Sequence, residues 1–394
     1  AAMFGGYPAF GINTFATNPD LRPERTNSSE LGIDLRFAKG RFGADLAVYD
    51  MTTEDQIIYL PVATSTGRTS RLANGGAIRN RGIELQLFGD IVKNDKLTWN
   101  SRINLGANRA VVTELPDGVS GGYPIVASMF PNDGGTVGLE YVAVEGELLG
   151  QLKGLTFMRD ADGNIIHENG LPMVSEEKST IGSYQPKARI GWMNSFSVGN
   201  WQANILFDGQ IGGLIYSRSH TLHNTAGNLV NDDDPHLDMN AIDGRVVYDV
   251  TYDGNGEPVY NLDQAGGVVG SGVMYDASGN LVANTVSVPI RDYYYKYYGN
   301  VWSRDNIEPS TFDASYLKLR QLSIAYTVPA DKLANTGLKG LTVSFVGRNL
   351  LLFTKVPTID PETYSIRNGL FVNGYESTSM PSLRSFGFSI NANL

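Results

Sequence analysis

Hydrophobic and polar positions alternate with a period of two along much of this 394-residue chain. In "ELGIDLRFA" (30–38), Leu31, Ile33, Leu35 and Phe37 fall on one face, and Glu30, Asp34 and Arg36 on the other. Successive side chains of a strand point to opposite faces, so this pattern predicts a strand with one apolar and one polar side. The pattern returns in "RFGADLAVYDM" (41–51), "GIELQLFG" (82–89), "LTWNSRINLGAN" (97–108), "ARIGWMNSFSV" (188–198) and "WQANILFDGQ" (201–210). It returns again in "DASYLKLRQLSIAYTVP" (313–329), "LTVSFVGRNLLLF" (341–353) and "LRSFGFSINANL" (383–394). Nine strands are predicted, each of the roughly 9–11 residues that a tilted membrane strand needs.

The connections between them alternate in length. Lys39–Gly40 and Gly199–Asn200 are two-residue hairpin signals, and "DIVKNDK" and "ADKLANTGLKG" are short links. The other connections, about 57–77, 109–180, 211–312 and 354–382, are long. Short turns on one rim and long loops on the other are expected of an outer-membrane barrel with periplasmic turns and extracellular loops. The fold class expected is therefore all-β, part of a large antiparallel transmembrane β-barrel. Leu35, Phe37, Leu85, Leu105, Trp192 and Phe388 are expected to face outward. Glu84, Arg102, Asn104 and Asp208 are expected to face the lumen, with Asn108, Gln202 and Asn204 on the same polar faces.

Composition narrows the alternatives. The 45 glycines, 20 tyrosines and 16 phenylalanines suit strands joined by turns rather than a large α/β enzyme. A formal charge of −10 without a Lys/Arg block argues against a nucleic-acid surface. The absence of cysteine excludes a disulfide framework, a thiolate metal site and a cysteine nucleophile. No run of 18 apolar residues encodes a membrane-spanning helix, and the opening "AAMFGGYPAFGINTF" does not read as a signal peptide. A secreted glycan-binding β-sandwich or adhesin stays open as a further reading, in which the apolar faces pack on each other instead of on lipid.

Several segments carry a family resemblance. "NPDLRPERTNSSELGIDLRF" (18–37) resembles the NPDLKPE-type segment that enters a late barrel strand of SusC/RagA-family TonB-dependent transporters. "NGGAIRNRGIELQL" (74–87) is similar to that family's N-x-G-x-I-x-N-x-G-x-E motif. "VEGELLGQLKG" (144–154) is similar to its V-x-E-G-x-P-x-G segment, with Leu148 where proline is common. "DASYLKLRQLSIAYTVP", "GRNLLLFTKVPTIDPET" (347–363) and the closing strand also resemble the family's, the usual terminal phenylalanine being replaced by Leu394. The resemblance implies an outer-membrane importer of the 22-stranded plugged kind. Its cargo would be an oligosaccharide or oligopeptide, its lid a SusD-like surface lipoprotein, and its energy would come through TonB. A passive porin-like channel is the alternative. The resemblance covers only the family's C-terminal portion. Residues 1–394 are thus expected to lack the plug and the first barrel strands, and to pair at 30–38 and 383–394 with roughly thirteen further strands. The localisation implied is the outer membrane of a Gram-negative, Bacteroidota-like bacterium.

Residues 313–329 raise a question of phase, because Leu317 and Leu319 are odd-numbered while Leu322, Ile324 and Tyr326 are even-numbered. An unbroken strand puts Lys318 and Arg320 on the lipid face near the outer rim, within reach of anionic headgroups. A β-bulge near Arg320–Gln321 instead resets the phase, keeps all five apolar residues in hydrocarbon and turns both cations into the lumen. The bulge is the favoured reading.

Candidate chemistry is sparse. "RDADGNIIHENG" (159–170) opens like a calcium loop at Asp160, Asp162 and Asn164 but lacks its sixth-position glycine and twelfth-position glutamate, so a hairpin turn is favoured. "NDDDPHLDMNAID" (231–243) reads as a solvated acidic loop around His236. His220 and His223 have no helix pattern around them, and no nucleophile–base set stands out, so neither metal, cofactor nor catalysis is expected. "RDYYYKYYGNVW" (291–302) offers flat amphipathic faces for sugar rings or peptide side chains, with Tyr293, Tyr295, Tyr297 and Trp302 as the candidate ligand contacts. If the segment is extended, those three tyrosines share a face; packing against neighbours or against the lid is the competing reading.

Overall fold

The computed structural model describes residues 2–4, 7–9, 15–126, 138–225, 239–242, 250–252, 254–255, 258–260, 267–299, 306–334, 336–363, 365–367 and 370–393. Its framework is one antiparallel sheet of nine strands in chain order: β1 (Arg25–Phe37), β2 (Phe42–Glu54), β3 (Ala77–Lys93), β4 (Thr98–Glu114), β5 (Ala188–Val198), β6 (Trp201–Ile211), β7 (Tyr316–Thr327), β8 (Gly340–Thr354) and β9 (Ser385–Asn393). Each strand pairs with its sequence neighbours, and β1 and β9 do not meet, so the sheet is an open arc of barrel wall. The strands β2, β3 and β4 run several residues past the alternating stretch at the long-loop rim, lifting the wall above the apolar band.

Register makes the two faces continuous. Residues directly opposite share a face, and one such row reads Ile33–Leu46–Leu85–Leu105–Ile190–Gly209–Leu317–Phe353 from β1 to β8. The next row, on the other face, reads Asp34–Asp45–Gln86–Asn104–Gly191–Asp208–Lys318. Leu35, Phe37, Leu105, Trp192 and Phe388 are all exposed on the apolar face, where Phe388 is 81% accessible. Such a belt is untenable in water and stable in hydrocarbon. Polar groups inside the belt are satisfied locally. The indole N–H of Trp99 donates to Asn194 Oδ1 at 3.0 Å, and that of Trp192 to Ser101 Oγ at 2.9 Å.

The phase change in β7 is a bulge. Register slips by one residue between Leu319 and Gln321 against both β6 and β8, with Arg320 at the slip. Leu317, Leu319, Leu322, Ile324 and Tyr326 thereby stay on one face, and Lys318 and Arg320 turn inward. Asn349 on β8 takes up its side of the irregularity with a φ of +51°.

Packed cores lie outside the wall. Among the described residues, the three clusters of buried apolar side chains all come from the long connections, as with Leu139, Tyr141, Leu152, Tyr216, Ile307 and Tyr375. These connections are structured: Tyr123–Val126, Glu140–Ala143, Gln151–Gly154 and Ser179–Ser183 form one sheet, and Thr311–Asp313, Leu214–Ser217 and Tyr375–Glu376 another. The latter joins the connection between β6 and β7 to the one after β8 in one layer over the same rim. Two helices also form there, α1 (Arg218–Thr225) and α2 (Ile290–Tyr297).

Both helices correct the reading of the sequence. His220 and His223 lie on α1, with His220 buried against Ser310 and Asn224 and His223 exposed, so they share no site. The tyrosine run is helical rather than extended: Pro289 precedes it, Asp292 occupies the first turn and Lys296 the last, matching the helix dipole. Helical spacing puts Tyr293 and Tyr297 on one face, and both are about 1% accessible in a cluster with Phe157, Val268 and Tyr298. They are packing residues, held further by Tyr293 against His167 at 3.1 Å.

Candidate functional site

The bulge creates a charged constellation on the concave polar face. Lys318, 3% exposed at its side chain, donates to Asp360 Oδ1 at 2.6 Å and Oδ2 at 2.7 Å, and also to Glu362. Arg320 reaches Asp208 through Nε at 2.8 Å and both Glu362 oxygens at 2.6 Å, and Tyr316 donates to Glu362 Oε1 at 2.9 Å. Two cations and three carboxylates thus tie the connection after β8 to the inner face of β6 and β7. Asp360 and Glu362 come from "TIDPET", where Asp360 Oδ1 also accepts the Glu362 amide at 3.0 Å and shapes the turn. Burial alone would raise the Glu362 carboxyl, but hydrogen bonds from Arg320 and Lys318 outweigh it and hold the group below its ordinary value. Asp208 Oδ1 is buried without a hydrogen-bond partner.

This cluster borders a cavity of about 1140 Å³ between the concave face and the loop layer. Glu84, Asn104 and Asp208 line it, with Asp45, Gln210 and Glu362. Arg102 shares their face but sits outside the cavity, its guanidinium 5.7 Å from the Phe88 ring centroid. The cavity walls supply hydrogen-bond acceptors and peptide edges rather than a nucleophile–base pair, which suits binding of a polar solute.

The remaining candidates disperse. Tyr295 is half-buried on α2, away from the cavity lining, and Trp302 lies outside the described residues, as does the acidic run 231–238 with His236. "DADGN" (160–164) is a hairpin turn: Asp160 Oδ1 accepts the amides of Asp162 and Asn164, and Gly163 has a φ of +88°. "DASGN" (276–280) repeats it, with Asp276 accepting from Ser278 and Asn280 and Gly279 at +83°. Backbone amides thus occupy one oxygen of each leading carboxylate, the role a turn requires. Sequence reading missed Asp360 and Glu362 as partners of the two strand cations. The signal available was Asp-Pro-Glu itself, two acids fixed around a proline after an apolar strand.

The family model described as "TonB dependent receptor-like, beta-barrel" matches residues 1–350. TonB-dependent receptor P26 of Formosa agariphila is 26% identical over 95% of this chain and 35% of its own length. TonB-dependent receptor SusC of Bacteroides thetaiotaomicron is 24% identical over 32% of this chain and 13% of its own. Among solved structures, the RagAB peptide importer in its open-open state superposes with a TM-score of 0.61 at 18% identity, over 96% of this chain and 35% of that one. The chain therefore spans about a third of the length of the relatives it matches most fully. With an apolar outer belt, a polar concave face, segregated loops and a family match over most of its length, this chain belongs to the TonB-dependent receptor β-barrel family of the outer membrane.

Proposed function

We propose that residues 1–394 are the C-terminal part of the barrel of a SusC-type importer, with the plug and roughly thirteen earlier strands carried by the rest of the receptor. The observation that carries this reading is the 1140 Å³ cavity of mixed polar and apolar lining between the concave face and the loop layer, bordered by Asp208 and Glu362 of the Lys318–Asp360–Glu362–Arg320–Asp208 cluster. Its carboxylates, Arg189 and amide side chains, set among apolar residues, suit a solute that presents many hydrogen-bonding groups, an oligopeptide or an oligosaccharide. The structured loop layer over the rim supports docking of a SusD-like lipoprotein there, and TonB would act through the plug. Uptake assays on cells carrying the intact receptor test this reading. Labelled oligopeptides and oligosaccharides are offered with and without a protonophore. Energised import of either class that stops when the membrane is de-energised supports the importer, whereas import at the same rate in both conditions makes it a passive channel. Affinity purification of the receptor without a co-purifying surface lipoprotein would remove the lid from the scheme.

A further inference from the structure

The outer face carries a second charged feature, opposite in orientation to the cavity. Just above the apolar row Leu31–Val48–Ile83–Ala107 stands the row Ser29–Asp50–Arg81–Arg109, and above it Asn27–Thr52–Arg79–Val111. Arg81 and Arg109 are directly opposite one another on β3 and β4, and Arg79 is two residues further along β3. Directly opposed like charges destabilise a strand pair unless something compensates them. Asp50 compensates in part: Arg79 Nε donates to its Oδ1 at 2.9 Å and Arg81 Nε to its Oδ2 at 3.0 Å. Arg109 has no ion pair among the described residues, is exposed, and lies on the far side of Arg81 from Asp50. The Arg81 side chain keeps 58% of its surface accessible. The acids Glu54 and Glu114 on this face stand two rows further out, level with Arg25 and about 13 Å along the strands.

Position gives this excess positive charge its meaning. Along β3 the outward apolar residues run from Ile83 to Val92, nine steps or about 30 Å of strand. At the usual tilt this covers a hydrocarbon band of about 25 Å. Arg81 and Arg109 therefore lie where acyl chains give way to headgroups, at the rim that carries the long loops. We propose that Arg81 and Arg109, with Arg79 behind them, form a binding site for the phosphate of an anionic lipid headgroup in the outer leaflet. Each guanidinium can present two N–H groups to phosphate oxygens, and one phosphate between them relieves the repulsion that the register imposes. The apolar row beneath would hold the acyl chains of the same molecule, which distinguishes a lipid from a free anion. This site rests on the outer-membrane reading but not on what the cavity transports.

The test uses the intact receptor, purified and placed in nanodiscs of neutral phosphatidylcholine doped with a phosphorylated lipid A. Bound lipid A is quantified by mass spectrometry for the native receptor and for R81Q/R109Q, with correct barrel assembly verified by heat-modifiable electrophoretic mobility. The double variant is expected to reconstitute normally and to retain roughly twentyfold to thirtyfold less lipid A, two arginines acting at an anionic surface. Equal retention by native and variant receptors overturns the site. Displacement of lipid A by millimolar inorganic phosphate shows a free-anion site and overturns the lipid assignment. A native receptor that fails to enter nanodiscs refutes the membrane reading itself, an outcome separate from loss of the site.

Discussion

Replacing Lys318 by Met tests the charged constellation most sharply. The ammonium is 3% exposed and its partner carboxylate on Asp360 7%, so water screens neither group. Removing one member of a buried pair leaves the other as an uncompensated charge, which costs about 3–5 kcal/mol. Glu362 keeps Arg320 and Tyr316, so the orphan is Asp360, whose remaining contact is the amide of Glu362 at 3.0 Å. The strain therefore falls on the connection after β8, and the cheapest relief is for that segment to leave the wall. Hydrogen exchange at the amides of Glu362 and Thr363 reads this opening. K318M should raise their exchange about a hundredfold or more, since each 1.4 kcal/mol is a factor of ten. Adding Asp360→Asn removes the charge, retains an acceptor for the turn and should restore most of the protection. A change under about 0.5 kcal/mol in K318M alone, the value of an exposed pair, would refute the reasoning. So would a double variant no better than the single.

Three further outcomes follow from other contacts. Trp99→Phe keeps the ring that stacks on Phe196 but removes the donor to Asn194 Oδ1. It should destabilise the barrel by about 1–3 kcal/mol in urea unfolding, and Asn194→Leu in the same chain should recover much of that loss. At Gly82 an added Cβ would clash with the Tyr49 ring, whose hydroxyl donates to Asn108, so Gly82→Ala should displace the ring and cost about 1–3 kcal/mol. Unchanged near-ultraviolet tyrosine signals in that variant would contradict this packing. Burial pushes the His167 imidazole below its ordinary value, so above about pH 7 it is neutral in both states and contributes no pH dependence. As pH falls through about 6.5 the unfolded chain takes up the proton first, so the loop layer loses stability toward acid. Exchange of the Val273 amide, bonded to Ile165, should quicken between pH 7 and 5.5 and stay flat in His167→Gln.

The alternation of residues determined the wall. A period of two is a local property of the extended chain, and the apolar belt repeats it in nearly every strand, so strand positions, faces and the segregation of loops were all legible. The phase slip at Arg320 was legible for the same reason, because an unbroken strand would put two cations beside Leu322. What those cations meet was not. Asp360 and Glu362 are some forty residues away and become partners only when the connection after β8 folds back under the rim. The layer above the wall was likewise hidden. Its helices are eight residues each, too short to be stable alone, and they are held by contacts with chain from other connections, as Tyr293 is by His167, 126 positions away. Likewise the pairing of Arg81 with Arg109 is a matter of register, which alternation leaves free to slide by two residues and only the assembled sheet decides.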